Sequence, residues 1–225
     1  MTARERMLAT IRAALADVPA GEPGAWDPGT DDDPATAYTR NRPVDRQGLI
    51  ELFAERCGAY RATVVHCPAH DQAIAEAARQ ACRRHDVHSL AVPGGLPAGW
   101  LPAEIPARPD DPPLSLSELD GGVAALTGCA LAVALTGTIV LDAGPEQGRR
   151  VLSLIPDVHV CVVRAEQIVY GVPEAIGALA PAVLQSRRAL TLISGPSATS
   201  DIELQRVEGV HGPRQLEVIL THERG

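Results

Sequence analysis

The densest group of residues capable of chemistry lies between positions 189 and 213 of this 225-residue chain. An apolar run, Ala189 to Ile193, has the length of one buried strand, and a turn-forming Ser-Gly-Pro-Ser loop follows it at 194–197. Ser200 and Glu203 have the spacing of a capping box, which predicts the start of a helix. A strand, a tight loop and a helix N-terminus gather backbone N–H groups, so this segment is predicted to bind an anion.

Titratable side chains lie in the same segment, at Asp201, Glu203 and His211. Glycines and a proline surround His211, and the pKa range of histidine suits proton transfer near neutral pH. Asp201 either orients the loop or repels an approaching anion. His211 and Asp201 are therefore the candidates for catalysis, but the residue types alone assign no reaction to either of them.

A second candidate segment runs from Ala132 to Val140 and contains the tripeptide Thr136-Gly137-Thr138. A glycine between two hydroxyls would let a ligand approach the backbone, and the alternative is a simple turn between two strands. The residues predicted to bind a ligand in the two segments are Thr136, Gly137, Thr138, Ser194, Gly195, Pro196, Ser197, Asp201, Glu203 and His211.

Two further positions allow two interpretations each. Arg149 and Arg150 could bind a carboxylate or phosphate with two parallel hydrogen bonds, or they could lie on a solvated surface. His159 stands before an apolar run, where a core histidine with a satisfied hydrogen bond is favoured over a site residue.

Five residues between positions 67 and 88 have spacings that resemble a zinc site, namely Cys67, His70, Cys82, His85 and His88. Zinc needs a compact tetrahedron of such ligands. The alanine-rich helix predicted over 71–84 would hold His70 and Cys82 near opposite ends of about 18 Å. No metal site is therefore predicted.

The composition excludes several classes of function. All 20 Lys and Arg positions are arginine, so the chain offers no Schiff-base or P-loop lysine. A formal net charge of −8 disfavours nucleic-acid binding. Five dispersed cysteines without a Cys-x-x-Cys pair disfavour disulfides and an iron–sulfur cluster held by this chain alone. The apolar runs are far shorter than the roughly 20 residues that span a bilayer, so a cytoplasmic protein is expected.

Helix and strand patterns alternate along the chain, which favours an α/β domain. The predicted units are an N-terminal amphipathic helix at 1–17, a proline- and acid-rich linker at 18–43 and the main domain at 44–225. Helices are predicted over 3–16, 44–57, 71–84, 118–126 and within 168–185, and strands over 62–66, 89–92, 130–134, 139–141, 158–163, 189–193 and 216–220.

The block SGPSATSDIE followed by GVHGP, and the upstream block AVALTGTIV, resemble the two signatures of the LUD-domain family, in its order and at roughly its separation. The resemblance implies a Rossmann-like open, mainly parallel sheet, the fold of the sugar-phosphate isomerase and CoA-transferase superfamily. It also implies support for the oxidation of L-lactate to pyruvate, with iron–sulfur clusters carried by partners, the lactate-utilisation proteins A and B. Members of the family usually carry a glutamate where this chain has Leu135, which argues against independent catalysis.

Three functions stay open at this point. The first is a component of lactate oxidation that binds no cofactor by itself. The second is a non-catalytic module that binds a small carboxylate or phosphate, or that assembles redox partners. The third is an independent isomerase or acyl-transferase, against which the missing lysine and Leu135 both count.

The linker at 18–43 is predicted to be the segment most sensitive to protease, because it is rich in proline and acidic residues and poor in apolar side chains. Limited digestion followed by mass spectrometry of the fragments should locate the first cuts there. First cuts inside 44–225 would contradict this boundary.

Overall fold

A reciprocal side-chain cap begins the first helix. The Glu5 carboxylate accepts a hydrogen bond from the backbone N–H of Thr2 at 2.7 Å, and the Thr2 hydroxyl accepts one from the N–H of Glu5 at 3.2 Å. Helix α1 (Ala3–Ala14) follows, which confirms the helix predicted over 3–16 as far as the structure describes it.

The computed structural model describes residues 2–14, 45–199, 207–208 and 212–222. The predicted linker at 18–43 lies outside these ranges. The chain forms two compact units, 1–39 and 40–225, and α1 belongs to the first. No helix within the described ranges is long and apolar enough to cross a membrane.

The second unit contains the remaining helices and all of the strands that the structure describes. In chain order they are α2 (Arg46–Ala59), β1 (Thr63–Pro68), α3 (Asp71–Arg84), β2 (Ser89–Val92), β3 (Ala107–Pro109), α4 (Leu116–Leu119), β4 (Val123–Thr127), β5 (Leu131–Val133), β6 (Thr138–Leu141), β7 (Val158–Arg164), β8 (Ile168–Val169), α5 (Val172–Ser186), β9 (Thr191–Ile193), β10 (Ala198–Thr199), β11 (Val207–Glu208) and β12 (Gln215–His222).

Six strands form one open sheet in the order β1-β12-β7-β4-β2-β3, and all five pairs in it are parallel. The central strands β7 and β12 are apolar along most of their length, as a parallel sheet covered on both faces requires. The predicted α/β domain with a Rossmann-like, mainly parallel sheet is confirmed.

The two faces of this sheet have different covers. Val160 and Ile219 belong to the core beneath α3, whereas Cys161 and Val218 belong to the core beneath α2 and a second, smaller sheet. This smaller sheet has the order β8-β5-β6-β9 and contains antiparallel pairs between β5 and β6 and between β6 and β9.

Glu217 is the buried charge on the α3 face, with 1% of its surface exposed. Arg84 and His85, at the end of α3, each contact its carboxylate at 2.6 Å. The pairing stabilises the buried carboxylate, and it joins the last turn of α3 to a central strand.

Two sequence predictions differ from the structure. The helix predicted at 118–126 is wrong: α4 ends at Leu119, because Gly121 and Gly122 adopt φ values of 71° and 75°, and the buried strand β4 follows. One open sheet was predicted, but β9, the predicted strand at 189–193, pairs with β6 in the separate smaller sheet. Its half-exposed residues fit this edge position.

Two glycines allow the end of α2 to approach the smaller sheet closely. A Cβ on Gly137, which has φ of 58°, would lie 2.7 Å from backbone atoms of Arg56 and Cys57. A Cβ on Gly195, with φ of 85°, would lie 2.5 Å from the carbonyl oxygen of Tyr60. Both positions therefore need a residue without a side chain.

Replacing Gly137 with alanine should lower the free energy of unfolding by roughly 2–4 kcal/mol, because the left-handed backbone and the contact with α2 both oppose a side chain. Gly177→Ala is the matched control: Gly177 lies in α5 with nothing within 4 Å of an added Cβ. This control should stabilise the chain by about 0.5–1 kcal/mol. Urea unfolding measures both values, and equal effects would show that α2 does not constrain Gly137.

Candidate functional site

The two segments singled out by sequence lie side by side. Strand β6 follows Gly137 and pairs with β9, so that Ile139 stands opposite Ile193. The Thr138 hydroxyl is 2.8 Å from the Ser194 hydroxyl and 2.7 Å from that of Thr136. Three hydroxyls thus form a continuous chain from the β5–β6 turn to the loop after β9.

A pocket of about 250 Å³ opens beside this loop. The Ser194–Ser197 loop forms one part of its wall, and Arg150, Ser153 and His159 supply another part. Leu216 lies in its lining as well. The volume suits a small molecule rather than a large cofactor.

The pocket lies at the amino ends of the central parallel strands. His159 is the second residue of β7, and it stands opposite Leu216, the second residue of β12. Ligands in open α/β sheets usually bind at the carboxyl ends of the strands, so this pocket lies at the opposite end of the large sheet. The Ser194–Ser197 loop does follow the carboxyl end of its strand, but that strand belongs to the smaller sheet.

His159 is fully buried, and one edge of its ring has a partner. Its Nε2 is 2.8 Å from the Thr127 hydroxyl on the neighbouring strand. Its Nδ1 is buried and has no hydrogen-bond partner within the described part of the chain. Burial, and to a smaller extent the positive charge of Arg150, lowers the pKa of His159 to about 4, so the imidazole is neutral at physiological pH.

Arg149 and Arg150 have different environments although they are adjacent. Two nitrogens of Arg149 bind the Asp110 carboxylate, each at 2.6 Å. Arg150 begins a single 3₁₀ turn (Arg150–Ser153), and its Nη1 donates to the carbonyl and the hydroxyl of Ser153, both at 3.0 Å. No carboxylate of the described residues pairs with Arg150. Its positive charge is therefore available to a ligand.

The other predicted site residues have mixed outcomes. Gly137 is buried against α2, so the Thr-Gly-Thr tripeptide is the turn of the β5–β6 hairpin. Leu135, where the family usually has glutamate, is 45% exposed. Ser200, Asp201, Glu203 and His211 lie outside the described residues, as does the predicted helix start. The strand β10 immediately precedes them and pairs with β11.

The zinc-like residues have other partners. His70 caps α3, its Nδ1 accepting from the N–H of Ala73 at 3.2 Å. His85 contacts Glu217, and Cys82 is buried in the core beneath α3. Within the ranges that the structure describes, no three His, Cys, Asp or Glu residues are grouped to hold a metal ion.

Arg150 and His159 were not among the predicted ligand-binding residues, although the sequence left a site role open for both. Two features of the sequence could have indicated them: the two adjacent arginines, and a polar residue at the start of an otherwise apolar strand. Neither feature reveals that the loop at 194–197 comes close to both residues, because that proximity depends on strands distant in sequence.

The fold and the paired segments define a class of protein. The family model of the LUD domain matches residues 122–221, which include both segments. The chain belongs to the LUD-domain family.

Its relatives include proteins named for lactate utilisation. The chain is 46% identical to Lactate utilization protein C of Deinococcus radiodurans, over 97% of this chain and 95% of that protein. It is 31% identical to a protein of the same name in Bacillus subtilis, over 44% of this chain and 42% of that protein. A solved structure of a DUF162 family protein from D. radiodurans is 41% identical and matches with a TM-score of 0.67, covering 80% of this chain and all of that chain.

The buried neutral His159 makes folding stability depend on pH. Because its folded pKa lies below the ordinary value of 6.5, the unfolded chain binds the proton first as the pH falls. The stability that the neutral His159 contributes is therefore present above pH 6.5, and it is lost as the pH falls towards 4. Between pH 7.5 and pH 5, the wild type should lose roughly 2 kcal/mol more unfolding free energy than His159→Gln.

Urea unfolding of both proteins at a series of pH values measures this difference, in which the other titrating groups cancel. Parallel curves for the wild type and the variant would show that His159 titrates normally.

Proposed function

We propose that this chain is a component of an L-lactate utilisation system and supports the oxidation of L-lactate to pyruvate together with iron–sulfur partner proteins. The observation that carries the proposal is the 46% identity, over 97% of the chain, to a relative named Lactate utilization protein C. Similarity over nearly the full length of both chains supports a shared role rather than a shared module alone.

The side chains of the pocket are consistent with a small-anion ligand. They comprise a guanidinium group at Arg150, a neutral imidazole at His159 and hydroxyls at Ser153 and Ser194. These groups bind and orient a ligand. A carboxylate such as lactate or pyruvate matches their charge and the size of the pocket, and phosphate is the alternative.

The cysteine positions support the assignment of the iron–sulfur clusters to partners. Cys57, Cys129 and Cys161 belong to the core beneath α2, whereas Cys67 and Cys82 belong to the core on the other face of the sheet. A cluster needs about four gathered thiolates. Burial also raises the pKa of the Cys57 thiol to about 12, which opposes the thiolate form that a metal needs.

A second candidate is a non-catalytic module that assembles its redox partners. The specific observation in its favour is the apolar surface of α5, where Ile176 is 53% exposed and Leu184 is 79% exposed. Exposed apolar side chains on one helix are a common feature of protein contacts. An assembly role is compatible with a component of the lactate system, and the same experiment addresses both.

Deletion of the gene for this chain from its native host should abolish growth on L-lactate as the sole carbon source and leave growth on pyruvate intact. Re-expression of the wild-type chain should restore growth on L-lactate. A tagged chain recovered from cells grown on lactate should bring with it proteins that contain iron and acid-labile sulfide. Unimpaired growth of the deletion strain on L-lactate would overturn the proposed function.

A further inference from the structure

We propose that Arg150 and His159 form the binding site for a small 2-hydroxy or 2-oxo monocarboxylate in the pocket beside the Ser194–Ser197 loop. Arg150 holds the carboxylate, and Nδ1 of His159 contacts the oxygen on the adjacent carbon. The choice of ligand rests on the proposed function, which it makes more specific.

The unsatisfied edge of His159 is the first support. Buried polar atoms in folded proteins almost always have a hydrogen-bond partner. Nδ1 of His159 has none among the residues that the structure describes, although Thr127 on β4 holds the Nε2 side of the ring. Because His159 lines the pocket, a ligand there can supply the missing partner.

The orientation of the Thr127 hydroxyl allows either of two neutral tautomers of the imidazole. If this hydroxyl donates to Nε2, then Nδ1 carries the proton and donates to a carbonyl oxygen on the ligand. If the hydroxyl turns towards Cys161 Sγ, at 3.8 Å, then Nε2 carries the proton and Nδ1 accepts from a ligand hydroxyl. One neutral ring therefore fits both a 2-hydroxy acid and the 2-oxo acid formed from it.

Arg150 supplies the charge that a monocarboxylate needs. Its Nη1 donates to Ser153, and among the described residues no other group binds the guanidinium, so its other N–H groups can donate to a carboxylate. Arg150 and His159 both line the pocket, so the two groups face the same space. One guanidinium beside a neutral imidazole balances one negative charge, so a monocarboxylate is favoured over a phosphate dianion.

The rest of the lining accounts for the small alkyl part of the ligand. Leu192, Ile193 and Leu216 contribute apolar side chains to a space of about 250 Å³. The loop at 194–197 has a fixed position, because Ser194 binds Thr138 and Gly195 packs against Tyr60. Together these features restrict the site to short acids.

Isothermal titration calorimetry of the purified full-length chain tests the site, with L-lactate, pyruvate, acetate and inorganic phosphate as probes. L-Lactate and pyruvate should bind with similar affinity. Acetate lacks the oxygen on the second carbon, so it should bind roughly tenfold more weakly. Preference for phosphate over both three-carbon acids, or no binding of either acid, would overturn the proposal.

Two arginine variants provide a matched pair. Arg150→Gln should weaken the binding of L-lactate and pyruvate by roughly tenfold or more. Arg149→Gln removes the same charge one position away, where Asp110 already holds the side chain, and it should leave both affinities unchanged. Equal losses in the two variants would show that Arg150 does not contact the ligand.

His159→Gln completes the test, with circular dichroism as the check on folding. This variant should retain acetate binding while losing the preference for L-lactate and pyruvate over acetate. An unchanged preference in the folded variant would overturn the role of His159. If the variant does not fold, Thr127→Val serves instead, and it should change the ratio of L-lactate to pyruvate affinity.

The outcomes separate this inference from the proposed function. If the purified chain binds none of the acids while the deletion strain still fails to grow on L-lactate, the site assignment is wrong and the function stands. If the chain binds the acids while the deletion strain grows normally on L-lactate, the proposed function is wrong.

Discussion

The contact between the end of α2 and two glycines is the constraint on which the arrangement of the site depends. Gly137 lies in the β5–β6 turn and Gly195 lies in the loop after β9, and both pack against the backbone between Arg56 and Tyr60. Because β6 and β9 are adjacent, these contacts fix one edge of the smaller sheet relative to the helix. These contacts hold the Ser194–Ser197 loop where it lines the same pocket as the start of β7.

Burial, rather than an acid–base pair, determines the net charge of the pocket. His159 is neutral because its surroundings exclude water, and Arg149 is neutralised by Asp110. Arg150 therefore contributes a single positive charge beside an apolar core. Binding and orientation of a small anion follow directly from such an arrangement.

Local patterns predicted most of the elements, and long-range pairing decided the rest. The helix at 71–84 and the strand at 89–92 match the sequence prediction residue for residue, because each depends on its own periodicity and flanking breaks. The helix at 118–126 was wrong because a pair of glycines outweighed a weak helical pattern. Thr138 and Ser194 both lie in segments that the sequence singled out, but Arg150 and His159 lie outside those segments. Their proximity to the loop depends on the pairing of β9 with β6, which no local segment encodes.

The position of β12 in the large sheet has a consequence for the newly made chain. This strand lies between β1 and β7, although both precede it in sequence. While the protein is being synthesised, β1 and β7 leave the ribosome before the strand that separates them. Each then exposes an unpaired apolar edge, which is the feature that promotes association between chains. The partly folded chain is therefore prone to association until residues 215–222 arrive, and the rate of synthesis influences how much folded protein is obtained.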